Sequence, residues 1–281
     1  MSGAAERPWR AVPTLPAEPP AGSLVGHAEV VMGTVVSFVV DPGPLDRRAT
    51  DAALKAACAE LHRIDAVFST WKPESPMSRL RRGEIALEDA PGEIGDVLGA
   101  CARAREATGG LFDPWLLPGG VDPSGYVKGW AAGRARDVLA HAGVEAVLVN
   151  AGGDIATLRG PAPGRRWRVG IRHPWRSDAL ACVIEADGAV ATSGSYERGA
   201  HLLDPRSGAP STAVASATVV GPDPGMADAF ATALAVGSVD ASAWLVALGT
   251  YGGYVIGADG SETVLGEVTM VDPAEIAHAE R

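Results

Sequence analysis

The chain has 281 residues, of which 47% are hydrophobic, and it carries a formal net charge of −10 at pH 7. This length and apolar content are enough for a large core, in one elaborate domain or two closely packed lobes, and argue against a disordered protein. The negative charge opposes nonspecific nucleic-acid binding, because affinity for the phosphate backbone needs clustered Lys and Arg. A phosphate-bearing ligand would therefore be met locally, by a metal ion or a few cations.

Residues 1–22 are rich in proline and lack apolar periodicity, so we expect a flexible arm there. They do not show the basic start, apolar run and small-residue cleavage site of a secretory signal, nor a Cys placed for a lipid anchor. No stretch approaches the roughly 18 to 20 uncharged apolar residues that cross a bilayer. These observations predict a cytoplasmic protein without a transmembrane segment.

Cysteine and histidine are sparse and scattered. The three cysteines are Cys58, Cys101 and Cys182, and none of the six histidines forms a paired spacing or an HExxH motif. An odd, dispersed set of cysteines argues against a disulfide framework and a structural zinc site, and favours a reducing interior. The histidine pattern argues against a zinc hydrolase.

The first predicted elements are a strand and a helix. A β-branched, apolar run over residues 27–40, broken only by Gly33, predicts one long strand. Asp46 is placed to cap the next helix. Apolar residues in that helix recur at steps of three and four and predict one buried stripe, made of Leu54, Ala57, Cys58, Leu61, Ile64 and Phe68. Two prolines and two serines then predict a loop over residues 69–76.

The remaining elements are helices followed mainly by strands. Helices are predicted over residues 93–107 and from about Lys128 to Gly143, which suits a helix C-terminus. Strands separated by Gly and Pro turns are predicted over residues 145–149, 167–172, 180–185 and 214–220, and after two further helices over residues 254–256. Strict βαβ alternation is absent, so we expect an α+β fold with largely antiparallel sheets. One two-lobed domain is expected over residues 23–270, with a tail over residues 271–281.

Asp228 and Thr232 form the most informative pair of polar residues. They lie four residues apart in a predicted helix, so the carboxylate and the hydroxyl stand on one face, one turn apart. Hard oxygen ligands suit Mg²⁺, which keeps several waters and takes its other oxygens from phosphates. The alternative is an Asp that stabilises the helix dipole beside a buried Thr, and the pair alone does not decide between them.

A glycine-containing loop over residues 122–129 runs into a helix with Lys128 at the junction. Helix N-termini present unpaired N–H groups and partial positive charge, so this segment is a candidate anion site in which Lys128 could reach a diphosphate. The spacing is not that of a Walker A loop, which argues against P-loop nucleotide hydrolysis. The alternative is an ordinary turn with Lys128 in solvent.

Two further polar segments follow. Gly152-Gly153-Asp154 ends a predicted strand, lacks the GxGxxG of a dinucleotide fold, and favours a tight turn. The polar stretch over residues 192–208 contains Ser193, which is not in a GxSxG nucleophile elbow. It also contains His201, which could act as a base near neutral pH or serve a structural role.

Eight short motifs are spread along the chain. They are Met32-Gly33-Thr34, Phe68-Ser69-Thr70-Trp71, Thr108-Gly109-Gly110-Leu111-Phe112-Asp113, Lys128-Gly129, Val149-Asn150-Ala151-Gly152-Gly153-Asp154, Thr192-Ser193-Gly194, the segment from His201 to Pro205, and the segment from Ala227 to Ala233. In this order they resemble the ApbE family of FAD:protein FMN transferases, over roughly residues 27–257. The resemblance implies an ApbE-like fold related to the T-fold.

The resemblance also implies a function. It implies a Mg²⁺-dependent transferase that moves the FMN half of FAD onto a Thr or Ser of an acceptor flavoprotein and releases AMP. The implied metal ligands are the side chains of Asp228 and Thr232 and the backbone carbonyl of Gly125. His201 is implied to assist the acceptor hydroxyl, and Lys128 to lie beside the FAD phosphates. The other implied FAD contacts are Met32, Trp71, Leu111, Phe112, Asp113 and Asp122.

The chain departs from the family pattern in three places. The connection over residues 114–121 is shorter than in many members, Pro123 and Ser124 stand where Leu-Gly is frequent, and Trp71 replaces Tyr or Asn. An aromatic side chain such as Trp71 can still stack on a flavin ring. Two other functions remain open: an FAD pyrophosphatase in which water attacks, giving FMN and AMP, and an FAD-binding protein without turnover.

Overall fold

A computed structural model of the protein describes residues 10–11, 24–117, 119–194, 202–212 and 214–271. The helices in these ranges are α1 (Arg47–Phe68), α2 (Pro76–Arg81), α3 (Gly92–Ala107), α4 (Ser124–Ala142), α5 (Pro224–Gly237) and α6 (Ala243–Ala247), with 3₁₀ turns at Leu87–Asp89 and Val239–Ala241. The strands are β1 (Arg10–Ala11), β2 (Val25–Val31), β3 (Thr34–Asp41), β4 (Ala146–Ala151), β5 (Asp154–Leu158), β6 (Trp167–His173), β7 (Arg176–Ala186), β8 (Ala189–Ser193), β9 (Val214–Gly221), β10 (Gly252–Gly257) and β11 (Glu262–Leu265).

The strands form two sheets. The large sheet has eight strands in the order β11-β10-β9-β8-β5-β4-β3-β2, and the small sheet has three in the order β1-β7-β6. Every pairing among the described strands is antiparallel. The prediction of an α+β fold with largely antiparallel sheets is therefore confirmed.

Both faces of the large sheet are buried along its central strands, and β4 shows how. Val147 and Val149 point into the core shared with the helices, whereas Ala146 and Leu148 point into the core shared with the small sheet. This alternation follows the two-residue period of a strand. The second core is completed by residues of the small sheet, namely Trp167, Val169, Ile171 and Ile184. The molecule thus has three layers: helices, large sheet and small sheet.

The local helix signals are confirmed. The Asp46 carboxylate accepts a hydrogen bond from the Ala49 amide at 2.8 Å and caps α1. All six residues predicted for the apolar stripe of α1 are buried. Gly143 follows the last residue of α4 with φ of 92°, the left-handed conformation that favours glycine at a helix end.

The prediction of one long strand over residues 27–40 is wrong. The chain reverses at Met32 and Gly33, whose φ values are 54° and 69°, so β2 and β3 form a hairpin. Two positive φ angles in a two-residue turn are the type I′ geometry, for which Asn and Gly are the usual signals. Met32 is not such a signal, so the sequence shows a continuous apolar run where the structure has a turn. As a result β2 becomes the edge strand of the large sheet.

The third helix begins earlier than predicted. α4 starts at Ser124 rather than near Lys128, so most of the predicted glycine-containing loop is its first turn. Asp122 accepts a hydrogen bond from the Ser124 amide at 3.0 Å, and the Pro123 carbonyl accepts from the Val127 amide at 3.0 Å. These bonds start the helix four residues before Lys128, and they bring Gly125 into helical backbone.

The ends of the chain and its cysteines complete the fold. Arg10–Ala11, inside the predicted arm, pair with β7, and the boundaries at residues 22 and 271 remain predictions. Cys58, Cys101 and Cys182 are free thiols, as their spacing indicates. Across the described ranges, the helices are too short or too polar to span a lipid bilayer.

Candidate active site

A cavity of about 890 Å³ opens between α4, α5, the β2–β3 turn and the end of α1. Small-molecule and cofactor sites occupy roughly 300 to 1,000 Å³, so this cavity can hold a large ligand. It is lined by ten of the eleven residues predicted for the site: Met32, Trp71, Leu111, Phe112, Asp113, Asp122, Gly125, Lys128, Asp228 and Thr232. The eleventh, His201, lies outside the described residues.

One wall of the cavity is the crossing of α4 and α5. A Cβ atom at Gly129 would lie 2.1 Å from the carbonyl oxygen of Pro224, so only glycine permits this approach. The Gly129 amide donates a hydrogen bond to Asp228 Oδ2 at 3.1 Å. In an α-helix the acceptor for that amide is the carbonyl four residues earlier, here that of Gly125. The crossing therefore sets the Asp228 carboxylate against the Gly129 amide of α4, one turn after Gly125.

Oxygen atoms gather beside this crossing. The Thr232 hydroxyl lies 3.2 Å from the Ser193 hydroxyl at the end of β8. A Cβ atom at Gly125 would lie 3.3 Å from Thr232 Oγ1, so this hydroxyl sits against the α4 backbone. Asp228 is only 2% exposed. Burial and the nearby Asp154 charge raise the pKa of Asp228, while Lys128 and the Gly129 amide act in the opposite direction.

Lys128 forms an ion pair with Asp154, whose side chain is 1% exposed. Asp154 begins β5 directly after Gly152 and Gly153, which have φ of 65° and 104°. The predicted tight turn is therefore present. Sequence reasoning nevertheless missed Asp154 as a candidate site residue, because its partner lies on α4 and no local pattern indicates the pair. Asp154 fixes the position of Lys128 at the cavity.

Three aromatic and apolar side chains also line the cavity: Trp71, Leu111 and Phe112. Trp71, just after α1, is 93% exposed, whereas Phe112 and Leu111 are buried. Beside the cavity, the exposed indole of Trp71 offers a flat surface that a ring-shaped ligand can cover. The indole of Trp71 therefore suits a planar ligand.

The two predicted acidic contacts are already engaged within the protein. The Asp113 carboxylate pairs with Arg105 and accepts a hydrogen bond from the Trp115 amide at 3.0 Å. Asp122 lies 3.5 Å from Arg81, and its amide donates to the carbonyl of Pro114 at 2.9 Å. This last bond closes the short connection over residues 114–121. The two ends of the short connection are therefore joined at the cavity, while Pro118 within it lies outside the described residues.

Known proteins resemble this chain in sequence. The ApbE family model matches residues 32–119 and 117–252. An FAD:protein FMN transferase of Rhodobacter capsulatus is 35% identical over 216 residues, which is 71% of this chain and 39% of that protein. One from Klebsiella pneumoniae (strain 342) is 36% identical over 126 residues, 41% of this chain and 38% of that protein. The chain thus spans about two fifths of the length of these curated relatives.

Solved structures show the same fold. The ApbE protein of Thermotoga maritima has a TM-score of 0.75 at 24% identity, covering 87% of this chain and 97% of that one. The flavin transferase ApbE of Vibrio cholerae has a TM-score of 0.72 at 21% identity, covering 88% of this chain and 97% of that one. The family model spans most of the chain and includes every described residue of the predicted site. The chain therefore belongs to the ApbE family.

Proposed function

We propose that this protein is an FAD:protein FMN transferase. It would attach the FMN half of FAD to a Thr or Ser hydroxyl of an acceptor flavoprotein, a post-translational flavinylation that releases AMP. The observation that carries the proposal is the convergence of Asp228, Thr232, Gly125 and Lys128 on one cavity of about 890 Å³. Relatives that carry this name support it over the shared region.

The residues beside the α4–α5 crossing fit Mg²⁺. A carboxylate, a hydroxyl and a backbone carbonyl are hard oxygen donors, and the described residues that line the cavity include no Cys or His. Asp228, Thr232 and the Gly125 carbonyl would hold the ion, which when bound would offset negative charge on the FAD diphosphate. Because Asp228 is buried, solvent would screen the attraction between its carboxylate and the ion only weakly.

The transfer exchanges one phosphorus–oxygen bond for another. The acceptor hydroxyl attacks the FMN phosphorus, and the bond to the AMP phosphate breaks, so AMP departs with the bridging oxygen. Lys128, positioned by Asp154, would balance the charge that grows on this leaving group. His201, outside the described residues, remains the candidate to take the hydroxyl proton. The exposed Trp71 would stack on the flavin ring.

The proposal is tested by mixing the protein with FAD, Mg²⁺ and an acceptor flavoprotein domain. We expect a covalent FMN adduct by mass spectrometry and in-gel fluorescence, with AMP released in equal amount. An acceptor domain whose target Thr is replaced by Val is the control and should give no adduct. AMP release without an adduct would instead indicate the pyrophosphatase, and FAD binding with neither product would indicate a protein without turnover.

Replacing Trp71 by Ala is expected to weaken FAD binding about tenfold and to leave stability unchanged. An aromatic pair contributes roughly 0.5 to 1.5 kcal/mol beyond area burial, and about 1.4 kcal/mol corresponds to tenfold in affinity. Stability should hold because the Trp71 side chain is almost fully exposed.

The measurement is titration of FAD by fluorescence quenching. Trp175→Ala is the matched control, since Trp175 is exposed and does not line the cavity. Equal affinity of the Trp71 variant and the wild type would contradict the stacking role.

A further inference from the structure

A second group of metal-ligating side chains lies between β2 and α1. His27 and Glu29 stand two residues apart on β2 and therefore share a face of the strand. Cys58 and His62 stand four residues apart on α1 and therefore share a face of the helix. The fold turns these two faces toward each other, and so unites residues that are scattered in the sequence.

Three of these residues, His27, Glu29 and Cys58, lie close together and are hereafter called the β2–α1 cluster. One ligand atom from each of His27, Glu29 and Cys58 lies within 4.8 Å of the others. His27 Nε2 is 3.9 Å from Glu29 Oε2. Around a tetrahedral Zn²⁺, with metal–nitrogen bonds of about 2.0 Å and metal–sulfur bonds of about 2.3 Å, ligand atoms lie about 3.3 to 3.8 Å apart. Small side-chain rotations would close the difference, because His27 is exposed and Glu29 only partly buried.

His62 supports the cluster from outside. Its Nε2 lies 2.8 Å from Glu29 Oε1, the other oxygen of the same carboxylate. Ligating carboxylates are commonly held by such an outer partner, which fixes their orientation.

The chemistry of the β2–α1 cluster differs from that of the cavity. Imidazole, cysteine sulfur and carboxylate together suit Zn²⁺ or a similar borderline ion, whose binding would release the proton of the Cys58 thiol, whereas the proposed metal ligands at the cavity are all oxygen atoms. We propose that His27, Glu29 and Cys58 bind one Zn²⁺-like ion, with His62 orienting Glu29 and a water in the fourth position. This site is separate from the proposed magnesium site.

The position of the β2–α1 cluster gives it a mechanical role. β2 ends at Val31, directly before Met32, and the last turns of α1 carry Ile64 and Phe68. Met32, Ile64 and Phe68 all line the cavity. An ion that joins β2 to α1 would therefore restrain two parts of the cavity wall relative to each other.

The proposal is tested on the full chain after removal of metal with a chelator. Addition of Zn²⁺ at about 100 times its Kd is expected to raise Tm by about 5 °C or more. Co²⁺ in place of Zn²⁺ should give the near-ultraviolet charge-transfer band of a thiolate ligand. No thiolate band, or no rise in Tm, would overturn the proposal.

Variants separate this site from nonspecific binding. His27→Ala and Cys58→Ser should each weaken Zn²⁺ binding at least tenfold in calorimetric titration, and Cys58→Ser should remove the thiolate band. The exposed His27 provides a test should the Cys58 variant fold poorly. His141→Ala, which removes an exposed histidine on α4, and Asp228→Asn, at the cavity, should both keep wild-type Zn²⁺ affinity. Wild-type affinity in His27→Ala, or loss of binding in Asp228→Asn, would contradict the assignment.

Discussion

Replacing Asp228 by Asn is expected to lower kcat/KM for Mg²⁺-dependent FMN transfer by about 100-fold to 1,000-fold, with the fold intact. Removal of one well-placed electrostatic group from an active site has effects of this size. Asn keeps the shape of Asp228 and an oxygen that can still accept the hydrogen bond from Gly129. It removes the charge that would hold the ion. A purely structural role of Asp228 therefore predicts normal transfer by the Asn variant, whereas a metal-binding role predicts a loss of transfer.

The measurement is the transfer rate as a function of Mg²⁺ concentration, together with Tm. Burial and Asp154 disfavour the charge of Asp228, so its removal should not lower the Tm of the metal-free protein. Asp240→Asn is the matched control, because it removes an equal charge from an exposed position. Full-rate, Mg²⁺-dependent transfer by the Asp228 variant would show that the metal is bound elsewhere. A large fall in Tm with normal transfer would assign Asp228 to structure.

Replacing Gly129 by Ala is expected to destabilise the protein by about 3 kcal/mol and to lower Tm by about 10 °C. The new Cβ would lie 2.1 Å from the carbonyl oxygen of Pro224 and 2.8 Å from its carbonyl carbon. Both atoms belong to the backbone of α5, so relief requires that α4 and α5 move apart. The same Cβ would lie 3.0 Å from Asp228 Cβ, so this movement displaces the proposed ligand and transfer should fall as well.

Urea unfolding and the transfer assay check this prediction together. Gly95→Ala on α3 is the matched control, since a Cβ there meets no atom within 4 Å. Removing a flexible glycine from a helix stabilises by about 0.5 to 1 kcal/mol, so the two substitutions should change stability in opposite directions. If Gly129→Ala kept wild-type stability, the crossing of α4 and α5 would be looser than this packing implies.

The parts of the fold that were predicted correctly depend on local chemistry. The cap at Asp46, the buried stripe of α1 and the glycine at the end of α4 each depend on residues within a single helix or at its ends. The turn at Met32 was missed because a methionine with positive φ has no sequence signal. The sequence does not predict strands β5, β8 and β11. They are short, and where they begin, end and pair depends on neighbouring strands that are distant in the sequence.

In the candidate site, too, local features are predicted from the sequence and contacts between distant elements are not. The spacing of Asp228 and Thr232 predicts that they share a helix face, but it does not predict that Gly125 lies beside them. That juxtaposition depends on how closely two distant helices cross, and it was expected only from the family resemblance. Asp154 is the clearest case, because its turn was predicted correctly and its buried ion pair with Lys128 was not. A contact between distant elements leaves no periodicity in the sequence.

The assembly of the cavity has a consequence for how the protein folds. Its wall includes Met32, at the first hairpin of the large sheet, and Thr232, on the last long helix. A growing chain that has not yet produced α5 therefore has no complete cavity, and contacts so distant in sequence form late and slowly. Once the cavity exists, a ligand that binds only the folded state stabilises the whole fold. FAD, if it binds there, would protect both ends of the described fold against proteolysis and make unfolding more cooperative.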